Sequence, residues 1–251
     1  MSSRNMLVKK RSGAWYRFKV ALLVILPLLV LCGGIYAVFY SSLFSVRAIE
    51  VRGADIKADD ILTGRRFTNI LFTFPAIDPA RFPEIADFTV SKNYLARKVI
   101  VEATPRERTL IWCLAPAGGC FWIDPSGFIF EDALEPSGGN IKAVHDSTGR
   151  GLGVGGYALP ADMFTNLTSA LNLLKESGVT ISEVRIDNLN FQEFTVTTTG
   201  GAKLRFSLRY DPASQGGNVA LKSEADAIGR GNVCVDMRIL PRVYTSKICS
   251  D

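Results

Sequence analysis

One histidine, His145, is all that 251 residues supply, and no Gly-x-Ser-x-Gly elbow accompanies it. Acid–base and nucleophilic catalysis lean on such groups, so an enzymatic reading starts without its usual base. His145, next to Asp146, reads as a loop decoration. The closely spaced cysteine pairs of a zinc site are missing as well, although the chain has 5 cysteines. Neither an internal repeat nor a low-complexity tract is present. Acidic residues are absent before Glu50, and that absence has a counterpart in what is there.

Residues 20–46 carry no charge, and Arg4, Lys9, Lys10, Arg11, Arg17 and Lys19 precede them. A bilayer core takes about 20 apolar residues in helical form, which residues 20–40 provide. The basic flank predicts residues 1–19 as a cytoplasmic tail, 20–40 as a transmembrane helix, and 41–251 as extracytoplasmic. A cleaved signal peptide has a shorter apolar region and a small-x-small site, and Ile35-Tyr36-Ala37 is a poor one. A lipoprotein box needs a small residue before Cys32, where Leu31 stands. Pro27 and Gly33-Gly34 are ordinary inside a membrane span. The uncleaved single-pass anchor is the reading taken.

The sequence pI of 9.0 follows from that flank. Six of the 29 Lys and Arg precede the span, leaving 23 against 24 Asp and Glu, a balance of −1. The basic excess marks topology, and no nucleic-acid partner is expected.

Beyond the span, residues 44–51 alternate as a half-buried strand closed by Gly53. Acidic Asp59 and Asp60 suit the first turn of a helix at 57–62. Asp78-Pro79 repeats that signal as N-cap and first helical residue of a second helix. Strands follow at 88–95 and 98–102, then at 109–113, 120–123 and 128–130. The turn Asp124-Pro125-Ser126-Gly127 joins the last two. Met163, Phe164, Leu167, Ala170, Leu171 and Leu174 recur at helical spacing up to Gly178. Further strands are predicted at 182–186, 191–197, 203–208, 233–239 and 243–248, with a helix at 218–228.

Strand, helix, helix, strand, strand behind an anchor is the order of a POTRA module. Residues 44–53, Phe-Ser-Val-Arg-Ala-Ile-Glu-Val-Arg-Gly, resemble the opening of POTRA modules in the FtsQ/DivIB family of bacterial cell-division proteins. Asn69-Ile70-Leu71-Phe72 is similar to that family's Asn-Leu-Phe step. Residues 123–130 are similar to its "ID..G.vf" hairpin. Val235-Asp236-Met237-Arg238, followed by Arg242-Val243-Tyr244, is similar to its near-terminal "VDLR" strand. Residues 94–98 lack the family's proline, and 103–108 keep Pro105, Arg106 and Glu107 only in altered order.

The fold class implied is α+β: one transmembrane helix, a β-α-α-β-β POTRA module at 41–108, and a mainly antiparallel β domain at 109–251. The resemblance implies a non-enzymatic scaffold of the division machinery in the plasma (inner) membrane at the division site. It would hold FtsB/DivIC-type and FtsL-type single-pass proteins and link them to septal peptidoglycan synthesis, with no cofactor or small-molecule substrate. Another POTRA-bearing envelope protein, in secretion or outer-membrane assembly, or an anchored cell-wall enzyme, is the alternative.

Two sites are singled out. Four cysteines lie beyond the span, an even number in a disulfide-permissive compartment. Symmetric strand pairing sets Cys113 against Cys120, with Trp112 facing Phe121. Cys234 is set against Cys249, with Asp236 against Lys247 and Val235 against Ile248. A four-thiolate zinc site and free buried thiols are the rival readings. The final strand, pairing on one side with 233–239, leaves an edge whose main-chain groups invite a guest strand. Arg242, Val243, Tyr244, Thr245, Ser246 and Lys247 are therefore the candidate partner-binding residues, with Tyr244 as anchor and Arg242 and Lys247 supplying charge for an acidic partner. The match Gly151-Leu152-Gly153-Val154-Gly155-Gly156 to G-x-G-x-x-G lacks a preceding strand and reads as a loop. Glu131 with Asp132 reads as solvated turn residues. The sequon at Asn166 falls within the amphipathic helix and is taken as chance.

Overall fold

The computed structural model describes residues 13–58, 69–72, 77–116, 118–136 and 143–247. A helix, α1 (Gly13–Tyr40), begins the described chain. Its segment Trp15–Tyr40 is long and apolar enough to cross a membrane, and none of its most apolar 18-residue stretch is buried within the protein. Trp15, Tyr16 and Phe18 stand exposed at one end, and Tyr36, Phe39 and Tyr40 at the other. Aromatic residues at both ends of an apolar helix match the two polar boundaries of a bilayer.

The chain divides into two compact units, Met1–Ile77 with Phe88–Ala103, and Asp78–Asp87 with Thr104–Asp251. In the first, Ser41 caps a short 3-10 turn, Ser42–Phe44, through its side chain. The strand expected from residue 44 therefore starts late, as β1 (Ala48–Arg52). It pairs in parallel with β3 (Lys98–Pro105), Ile49 opposite Val99 and Val51 opposite Val101. β2 (Ile85–Asn93) completes a three-stranded sheet in the order β1-β3-β2. Gly53 closes β1 at φ +88, where any Cβ would run into the Ala103 carbonyl. The helix expected at 57–62 falls, apart from Lys57 and Ala58, outside the described residues. The second expected helix is only a 3-10 turn, Pro79–Arg81, although Asp78 does cap it and Pro79 does open it. Pro83 arrives two residues later, and the residue before a proline is pushed out of helical geometry.

The second unit is a mixed sheet of nine strands in the order β12-β11-β10-β9-β8-β7-β4-β5-β6. The strands are β4 (Leu110–Leu114), β5 (Gly119–Ile123), β6 (Ile129–Ala133), β7 (Ala143–Asp146), β8 (Ile181–Ile186), β9 (Glu193–Thr198), β10 (Lys203–Ser207), β11 (Cys234–Ile239) and β12 (Arg242–Ser246). Five pairings are antiparallel, and three, β4 with β7, β7 with β8, and β10 with β11, are parallel.

The long helix of this unit supplies most of the helical side of the core. α2 (Ala161–Glu176) buries Phe164, Leu167, Ala170, Leu171 and Leu174, positions three or four apart on one stripe. The sheet answers with alternate residues, among them Leu110, Trp112, Val144, Val184, Phe194, Leu204 and Val235. Each such side chain contributes about 1.5–3 kcal/mol by leaving water. Gly127 in the β5–β6 turn has φ +83, and a Cβ there would meet the Phe164 ring at 2.8 Å. The single helix expected at 218–228 is two, α3 (Gly217–Ser223) and α4 (Ala225–Arg230). Ser223 Oγ bonds back to the Ala220 carbonyl where they part, a local bond that competes with helix continuation.

Candidate functional site

β12 forms one end of the nine-stranded sheet, and β11 is its only strand neighbour among the described residues. Arg242, Tyr244, Thr245, Ser246 and Lys247 are exposed and Val243 half-buried. The register places Tyr244 opposite Asp236, Thr245 opposite Val235 and Ser246 opposite Cys234. This corrects the expected pairing of Asp236 with Lys247 and Val235 with Ile248. Ile239 already faces Arg242 across the two-residue link Leu240-Pro241, and β11 carries one extra residue between Asp236 and Ile239. The tight turn and the bulge together draw β12 back by three positions relative to the symmetric alignment.

Val235 and Met237 enter the core, while Asp236 and Arg238 share the opposite face. The Arg238 N–H donates to Asp236 Oδ1 at 3.0 Å. Its guanidinium reaches both Asp236 oxygens at 2.5–3.0 Å and Glu193 Oε2 at 2.8 Å. Arg205 lies 3.7 Å from the same Glu193 oxygen, so charges of alternating sign run across β9, β10 and β11. Hydrogen bonds donated to Asp236 hold the Arg238 guanidinium charged well above its ordinary range. Burial pushes the Asp236 carboxyl up, yet the Arg238 bonds outweigh it and leave that carboxyl below its ordinary value. On the helix-covered face Thr245 Oγ1 donates to Glu224 Oε2 at 2.7 Å, binding the edge strand to the junction of α3 and α4.

Cys113 and Cys120 face each other across β4 and β5 and form a disulfide, with Trp112 opposite Phe121. Cys234 is disulfide-bonded too. Cys249 and Ile248 lie outside the described residues. Cys32 is a free thiol, exposed on α1. Among the described residues no group of three or more His, Cys, Asp or Glu is gathered to hold a metal ion.

His145 is not on a loop. It sits half-exposed on β7, between Cys113 of β4 and Arg185 of β8. Asp146 beside it is buried and accepts from Trp112 Nε1 at 3.1 Å and from Arg150 Nη2 at 2.6 Å. Burial pushes this carboxyl up, but the bonds from Thr148 and Arg150 prevail and hold it below its ordinary value. Asp146 thus anchors an indole and an arginine, and its carboxylate is fully engaged in doing so.

Glu131 and Asp132 lie on β6 rather than in a turn, on opposite faces of the strand, and Glu131 is forked by Arg108 at 2.6–3.0 Å. The Gly151–Gly156 loop closes on β6, with Gly155 donating to the Ile129 carbonyl and Ile129 donating to that of Gly156. Asn166 is buried, its amide donating to the Leu208 carbonyl at 2.8 Å, so its nitrogen serves the core. A cleft of about 880 Å³ beside the end of α2 is walled by Thr180, Thr198, Thr199, Gly200, Lys222 and Ile228, with neither histidine nor cysteine.

Sequence reasoning missed β7, and with it the indole–carboxylate bond in mid-sheet. Comparison of the chain with protein-family models and with curated proteins finds no match.

Proposed function

We propose that this protein is a bitopic, non-enzymatic scaffold of the bacterial division machinery, with its N-terminus in the cytoplasm and the rest outside the plasma (inner) membrane. It holds FtsB/DivIC-type and FtsL-type single-pass proteins and links them to septal peptidoglycan synthesis. The observation that carries the reading is the terminal strand. β12 stands at the end of a nine-stranded sheet with Arg242, Tyr244 and Lys247 exposed along it. A guest strand gains main-chain hydrogen bonds at such an edge, and alternate side chains select it. Tyr244, 59 % exposed, is the kind of large amphipathic side chain on which interfaces concentrate their energy. An apolar helix at the other end of the chain supports the membrane placement.

Proline substitution tests the edge directly. Consecutive N–H groups of an edge strand point alternately to the neighbouring strand and to the outside. Of Thr245→Pro and Ser246→Pro, one therefore removes an outward donor and the other a bond to β11. The outward variant is expected to keep its fold by circular dichroism and lose co-purification of the small coiled-coil proteins from dividing cells. Unchanged capture by both variants, and by a chain ending at Arg242, overturns the reading.

A further inference from the structure

Beyond α1, four large apolar side chains stand exposed among the described residues of the first unit. Leu43, Phe72, Tyr94 and Leu95 are 71, 57, 57 and 100 % exposed. All four lie on segments tied to the end of α1. Asn69 Nδ2 donates to the Val38 carbonyl at 2.5 Å, serving one of the last carbonyls of a helix, which lack a partner within it. The Ile70 N–H reaches the Phe44 carbonyl at 2.7 Å, and the Phe72 ring stacks on Phe39 with centroids 4.8 Å apart. The turn between β2 and β3 is bound to the same point. Arg97 Nη1 donates to the Ser42 carbonyl at 2.5 Å, and the Arg47 N–H to the Arg97 carbonyl at 2.8 Å. Tyr94 and Leu95 form the tip of that turn, held beside the residues that leave α1.

A lone exposed leucine is ordinary, but several large apolar groups at the mouth of an apolar helix make a surface. Residues 20–40 at about 1.5 Å each span about 31 Å, close to the roughly 30 Å of a hydrocarbon core, which sets Tyr40 at its boundary. Leu43 follows within a turn, and Phe72 touches Phe39. What covers this surface is then the bilayer through which α1 passes, because the patch is continuous with the helix. We propose that the β2–β3 turn and the Asn69–Phe72 step form a collar seated in the lipid interface around α1, with Tyr94 and Leu95 between headgroups and acyl chains. Arg47, exposed and bonded through its backbone to that turn, adds a cation for lipid phosphate. The first unit is then seated on the membrane rather than swinging from a tether. This rests on α1 spanning the bilayer.

The test uses the full chain in phosphatidylcholine–phosphatidylglycerol vesicles with an environment-sensitive fluorophore on one thiol. The native Cys32 reports the span. Leu95→Cys with Cys32→Ser reports the collar, and Asp55→Cys with Cys32→Ser reports the exposed segment beyond the far end of β1. The label at position 95 is expected to be quenched by shallow lipid-borne nitroxide and several-fold less by aqueous iodide than the label at 55. Equal iodide quenching at 95 and 55, with Cys32 still shielded, overturns the collar and leaves the span standing. Iodide access to Cys32 itself removes the span, and the collar falls with it.

Discussion

The hairpins β4–β5 and β11–β12 both carry cysteines, and their sequences invite the same symmetric alignment. Only the first adopts it. β4 is flanked on both sides, by β5 and β7, and Trp112 is fully buried among core residues. A one-residue slip there would drive Trp112 to the other face, so the core holds the register. β12 has one strand neighbour among the described residues and only half-buries Val243, so its register is left to the tight turn and the bulge. Burial fixes alignment where a strand is enclosed, and backbone chemistry fixes it at the margin.

Breaking the enclosed hairpin has the largest expected effect. Trp112→Ala removes a fully buried indole and leaves Asp146 without its Nε1–H donor, so a loss of about 3–5 kcal/mol is expected in chemical denaturation. Asp146→Asn comes next, at about 2 kcal/mol near pH 7, because a buried carboxylate bonded to Arg150 is lost. Its pH dependence sharpens the contrast. The folded carboxyl lies below its ordinary 3.8, so its stabilisation is complete above 3.8 and is lost as the pH falls through the lower folded value. Denaturation midpoints of Asp146→Asn are expected to fall less steeply than those of the parent below pH 4. Tyr244→Ala at the exposed margin is expected to change stability by no more than about 0.5 kcal/mol while weakening partner capture. A large loss of stability in that variant would make the two hairpins alike and remove the contrast.

Much of the architecture was legible in the residues. The apolar helix, α2, the β5–β6 turn and most strands follow from periodicity and turn chemistry, because each rests on a local pattern. β7 did not, since it is four residues long and half of it is His145-Asp146. Its strand character comes from Val144 entering the core and from lying between β4 and β8, pairings that bring together residues some 30 to 40 positions apart. The bulge at Asp236 was hidden for a similar reason, because Val-Asp-Met-Arg alternates perfectly and nothing in it announces an extra residue. The exposed edge was legible in position, as the last strand predicted from the sequence, but its facing residues were not.

The strand order has a further consequence for synthesis. After the β4–β6 meander, strands β7 through β12 stand in space in the order in which they leave the ribosome, each beside the one before except β7, which joins β4. The sheet can therefore grow in one direction as the chain emerges, every new strand finding its template already laid down. Each strand from β7 onward serves in turn as the growing margin, and β12 is the last such margin among the described residues. A segment from another protein added there continues the same polymerisation by one step, with a change of chain but no change of rule.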